Sequence, residues 1–106
     1  MAPTPTNRRE ELHEILVGIL GSRNVYFQPP ENLKMKYPAI VYGRDYSNVL
    51  HADNRPYHTS KRYQITVIDE DPDSLIPDKV TLLPNCSFTR WFATDELNHD
   101  IYNLYY

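Results

Sequence analysis

The sequence predicts an α+β fold: a mostly antiparallel β-sheet of about five strands, with two helices on one face, forming a single domain over residues 1–106. Three observations carry that expectation. Leu12, Ile15, Leu16, Ile19 and Leu20 recur at the i, i+3, i+4, i+7, i+8 spacing of one helical stripe. Residues 57–68 alternate instead, with Tyr63, Ile65 and Val67 on one side and Arg62, Gln64, Thr66 and Ile68 on the other. A chain of 106 residues buries only about 60–70% of its unfolded surface, enough for one core, and folds to a radius of gyration of ~13 Å.

Each element follows in order. Residues 1–6 are a Pro/Thr lead, expected to fray. Asn7 and Glu10 have capping-box spacing, and Gly21 is a natural stop, which gives a helix over 7–20. His13 and Glu14 lie off the apolar stripe and read as solvated. Gly18 costs ~1 kcal/mol against Ala unless it permits a close approach to the sheet. Val25–Gln28 is a short strand halted by Pro29 and Pro30, and residues 31–36 form a loop. Extended structure resumes at Tyr37, because the residue before Pro38 avoids the helical region. The apolar run 39–42 suits a buried central strand.

Residues 43–57 read as a long polar connection, of a length that usually signals function or a bound partner. After the alternating strand comes the acidic turn 69–73. A second helix follows, with Asp73 or Ser74 as its cap, Pro77 in its first turn, Leu75, Ile76, Val80 and Leu83 as its apolar side, and Pro84 at its end. Residues 87–92 and 101–106 give the last two strands, joined by 93–100. The final strand is either tied into its own sheet or offered at an edge to a neighbour.

Composition narrows the function classes. Hydrophobic residues make up 41% and charged residues 24%, as in ordinary folded domains, and no apolar run is long enough for a membrane span. Eleven basic against fourteen acidic side chains give a net charge of −3, which argues against an autonomous duplex-DNA binder. The one basic patch visible in sequence, Arg55, His58, Lys61 and Arg62, reads as a solvated strand edge. The single cysteine, Cys86, can form no intrachain disulfide and suits a reducing compartment. Residues 1–6 have neither a basic nor an apolar signal-peptide region. Nine tyrosines, three phenylalanines and one tryptophan are more aromatic surface than a small core is expected to hide.

Catalytic and metal chemistry find little purchase. Asp69, Asp71 and Asp73 match the first three ligand positions of a calcium loop, but Ser74 stands where glycine is required, Val80 where glutamate is, and Pro72 sits inside. His51, His58 and His99 fall in separate segments without zinc-site spacing. Cys86 and His99 would be the available nucleophile pair, yet Cys86 reads as a small core residue. Three glycines, Gly18, Gly21 and Gly43, cannot build a phosphate-cradling loop. No enzyme activity and no cofactor are expected.

The segments 37–42 (YPAIVY), 63–74 (YQITVIDEDPDS) and 97–106 (LNHDIYNLYY) resemble the tail terminator family, the small tail-completion proteins of long-tailed bacteriophages. The resemblance covers most of residues 10–106 and rests on overall pattern, since no segment is a catalytic signature. It implies a small α+β structural protein that forms a homo-oligomeric ring, usually of six copies. The ring ends the tail tube and joins the tail to the head connector. Implied partners are the chain itself, the tail-tube protein and head–tail connector proteins, with DNA as passing cargo and no membrane. The implied location is the tail or neck of the virion, assembled in host cytoplasm.

Expected interface residues lie in two patches. One is the connection carrying Asn48, Leu50, His51, Arg55 and Tyr57. The other is the C-terminal region with Trp91, Asn98, His99, Tyr102, Tyr105 and Tyr106. Asp69, Asp71 and Asp73 are candidates for a lumen wall that repels DNA phosphates. The alternatives are a head-side connector or adaptor, and a small metal-binding or enzymatic module using His51, His58 or the acidic turn.

Overall fold

The computed structural model describes residues 8–47, 50–52, 55–58 and 61–106. The elements in chain order are α1 (Arg8–Leu20), β1 (Val25–Phe27), β2 (Ala39–Ser47), β3 (Leu50–Ala52), β4 (Arg55–His58), β5 (Lys61–Asp69), α2 (Ile76–Thr81), β6 (Cys86–Thr94) and β7 (Leu97–Tyr105). Five strands form one mixed sheet in the order β1-β2-β5-β7-β6, and β3 and β4 form a separate antiparallel pair. The α+β class is as the sequence predicts. The β1–β2 pair is parallel and every other pair antiparallel.

Helix α1 begins at Arg8; the expected cap, Asn7, lies outside the described residues. Leu12, Leu16 and Leu20 bury fully or nearly so, while Ile15 stays 37% exposed. The helix ends as the sequence dictates. Gly21 adopts φ +81 and donates its N–H to the Val17 carbonyl at 2.9 Å, the left-handed exit that glycine makes without strain. Gly18 is not there for a close approach, because nothing lies within 4 Å of where its Cβ would stand. His13 is not solvated either: it is half-buried, and its Nδ1 lies 2.8 Å from the Tyr42 hydroxyl.

Register fixes the two faces of the sheet. Ile40 and Tyr42 on β2 oppose Val67 and Ile65 on β5, which oppose Asp100 and Tyr102 on β7. Cross-strand partners share a face. The core therefore sits on one side, where Val25, Ile40, Tyr42, Tyr63, Ile65, Val67, Tyr102 and Leu104 meet Leu12, Leu16 and Leu20 of α1 and Val80 of α2. Tyr42 is its hub: 1% exposed, in ring contact with His13, Phe27 and Tyr63. Burial raises the Tyr42 phenol above its ordinary pKa. The Cα radius of gyration, 15.3 Å, exceeds the compact expectation of ~13 Å, as suits a single-layer sheet with helices on one side only.

Three segments differ from the sequence expectation. Residues 43–57 are not a continuous loop. β2 runs on to Ser47, and Leu50–Ala52 pairs antiparallel with Arg55–His58. The alternating strand starts at Lys61 rather than residue 57, because β4 is a separate element. The join 93–100 shrinks to a turn at Asp95 and Glu96, both in the left-handed region at φ 51 and 63. Neither is a glycine, so the sequence carried no local mark of so tight a turn.

Candidate interaction surface

The C-terminal strand is not an edge. β7 is hydrogen-bonded to β5 on one side and β6 on the other. The reason lies in the connection. The chain leaves β5, crosses through α2, lays β6 one place beyond, and returns as β7 into the gap. Tyr102 is 2% exposed, and its hydroxyl donates to the Pro77 carbonyl at 3.1 Å; burial raises its pKa. Tyr105 is half-buried and pairs across from Arg62, and a hydrogen bond to Tyr105 is the chief cause that raises the Arg62 pKa. Tyr106 is also half-buried. Its hydroxyl donates to Glu11 Oε2 at 3.2 Å, and the Arg8 guanidinium lies 4.4 Å from its ring centroid. Tyr102 is thus tied to α2, Tyr105 to β5 and Tyr106 to α1, and only Tyr102 is fully buried among the three.

The sheet ends at β1 and β6, and β6 is the long, exposed edge. All of its residues but Cys86 are exposed. Phe88 is 56% exposed, Trp91 55% and Phe92 37%. Phe88 meets Tyr102 edge-on at 5.6 Å, and Trp91 pairs with Asp100, which puts both on the helix-bearing face. Phe92 points the other way, stacked on His99 at 4.5 Å and 9°, with Arg90 5.5 Å from its ring centroid. Aromatic surface thus flanks the free edge on both faces. A register shift between Phe88 and Arg90 interrupts the ladder; such bulges blunt edges against indiscriminate pairing. Leu75 and Leu82, at the two ends of α2, add further exposed apolar surface at 67% and 83%.

The other expected residues scatter. Leu50, His51, Arg55 and Tyr57 lie on the β3–β4 hairpin, and Asn48 lies outside the described residues. Asn98 donates from Nδ2 to the Asp69 carbonyl at 3.3 Å. Asp69, Asp71 and Asp73 form a hydrogen-bonded staircase: Asp71 N–H donates to Asp69 Oδ1 at 3.0 Å, and Asp73 N–H to Asp71 Oδ1 at 2.9 Å. Asp73 does not cap α2. The cap position is Leu75, and the Ser74 hydroxyl accepts the Ile76 N–H at 3.2 Å.

Cys86 and His99 are not brought together. Cys86 pairs with Leu104, five residues along β7 from His99 and on the opposite face, about 16 Å away by strand rise. Burial pushes the Cys86 thiol up, the reverse of nucleophile activation. Among the described residues no three His, Cys, Asp or Glu side chains are grouped to hold a metal ion. The structure's own addition to the expected surface is Phe88 and Phe92. The sequence signal that could have found them is the run Phe88–Phe92, aromatic on both strand parities, which no single buried face accommodates. No family model matches the chain, nor does any curated protein or solved structure.

Proposed function

We propose that this chain is a structural subunit that acts by assembling with copies of itself, and that the assembly is the ring ending a bacteriophage tail tube and joining it to the head connector. One observation carries the self-association: a nine-residue edge strand, β6, with three exposed aromatic side chains. Exposed aromatic edges are costly to leave bare and serve as docking sites. The tail-terminator identity rests on the sequence resemblance, and the α+β fold agrees with what that resemblance implies.

The test uses the purified full-length chain. Size-exclusion chromatography with light scattering, followed by negative-stain imaging with isolated tail tubes, is expected to show closed rings, or monomers that form rings on tube ends. A chain that stays monomeric at every concentration and leaves tubes uncapped would overturn the proposal. Labelled protein at the head vertex instead would transfer it to the head-side connector.

A further inference from the structure

A basic cluster and an acidic cluster lie at opposite ends of the sheet. At one end a cleft of about 540 Å³ is lined by Arg8 and Arg9 of α1, Arg44 of β2 and Lys61 of β5, with Phe27 and Tyr106 among its walls. The Arg9 guanidinium sits 4.6 Å from the Phe27 ring centroid, and Arg8 lies over Tyr106. Among the described residues no carboxylate lines the cleft.

Strand β5 runs from Lys61 to Asp69, about 26 Å at ordinary strand rise, so the acidic turn lies at the far end. There Glu70, Asp95 and Glu96 gather around Tyr37 and Leu97, with no cation among the described lining residues. Asp95 and Glu96 form the exposed tip of the β6–β7 hairpin. Both hold positive φ without glycine, a conformation that costs ~1 kcal/mol or more per residue. The tip therefore carries two carboxylates where asparagine and glycine would have been cheaper.

We propose that the basic cleft receives the acidic β6–β7 hairpin tip of a second copy of this chain, in a head-to-tail contact. The inference rests on the self-association reading above and names one of its interfaces. Complementary charge is the argument for the occupant: four cations line the cleft, and carboxylates stand at the exposed hairpin tip of the same chain. A site of one sign at one end and its opposite at the other is a heterologous pair, and repetition of such a contact closes a ring when the rotation allows. Nucleic acid is the weaker occupant. The chain is net negative at −3, and one four-cation cleft is a short footprint for a phosphate backbone. The acidic end then faces a neighbouring subunit, in place of the lumen role expected for Asp69, Asp71 and Asp73.

The experiment is a charge swap. Lys61 and Glu96 are both exposed, so Lys61→Glu and Glu96→Lys are expected to fold, which circular dichroism melts check. Sedimentation velocity over a concentration series is expected to show each single variant associating at least ~10-fold more weakly than the wild type. An equimolar mixture of the two is expected to recover association in alternating order, because swapped cleft meets swapped tip and native cleft meets native tip. Wild-type association is also expected to weaken as sodium chloride rises. Variants that associate like the wild type, or an unrescued mixture, would overturn the head-to-tail contact while leaving self-association intact. A wild type that never associates would sink both. Titration with a short DNA duplex is the remaining arm: tight binding lost in Lys61→Glu, with assembly unchanged, would assign the cleft to nucleic acid and refute the proposal.

Discussion

Trp91 offers the sharpest test of the β6 edge. A large aromatic side chain can bury about 150–250 Å², Trp at the upper end. At 55% exposure, on the order of 110–140 Å² of Trp91 remains for a partner to cover. At ~25 cal/mol per Å² that is roughly 3 kcal/mol, or about a hundredfold in a dissociation constant. Side-chain ordering at the interface reduces the figure, so Trp91→Thr is expected to weaken association by one to two orders of magnitude. Threonine keeps the strand propensity, so the fold is retained. Sedimentation velocity or light scattering against concentration reads the shift. Leu33→Ser is the control: Leu33 is 37% exposed in the β1–β2 connection, away from β6, and its loss is expected to leave association unchanged. Equal association of Trp91→Thr and wild type would refute the edge as a docking surface.

Two further outcomes concern stability. Gly18→Ala is expected to stabilise the chain by up to about 1 kcal/mol, since α1 gains propensity and the added Cβ meets nothing; a rise of ~4–8 °C in Tm by calorimetry is the sign, and a fall would mean an unseen neighbour. Asp100 is raised by burial first, then by the carboxylate of Asp78, with His99 acting the other way. A raised carboxyl makes the folded state hold its proton longer than the unfolded one. Stability is therefore full below the unfolded carboxyl pKa of ~3.9 and falls as pH rises toward the folded value. Asp100→Asn removes that loss, so its Tm advantage over the wild type is expected to widen between about pH 3 and pH 7. An advantage independent of pH would contradict the assignment.

Local pattern made parts of the fold legible. The stripe Leu12, Leu16, Leu20 and the alternation Tyr63, Ile65, Val67 each encode one buried face, and each is buried. What failed is information that no segment carries alone. β6 holds three aromatics and β7 holds Asn98, His99, Asp100 and Asn103, so a local reading makes β7 the exposed strand. The crossover through α2 reverses that order, because it sets β6 down first and leaves β7 to fill the gap. Asn98 and Asp100 become half-buried as a result. The basic cleft was hidden for a related reason: Arg8, Arg9, Arg44 and Lys61 come from three distant segments. The run Arg55, His58, Lys61, Arg62 looked like the basic patch because its members are neighbours in sequence.

The two surfaces constrain the assembly they can build. A two-fold dimer through β6 would set Phe88 and Trp91 against their own copies and stop at two chains, with every cleft and every acidic tip unmatched. The ladder irregularity between Phe88 and Arg90 also stands in the way of a continuous sheet across such a dimer. A head-to-tail contact instead uses cleft and tip on every copy, and the tip is the end of the same hairpin that carries Phe88, Trp91 and Phe92. Docking the tip therefore brings part of the aromatic edge toward the neighbour, and one interface can cover both features. In that geometry Trp91→Thr and Glu96→Lys act on one contact and their effects couple. Combined effects that simply add, as for distant independent sites, would place the aromatic edge and the charged tip in two separate interfaces.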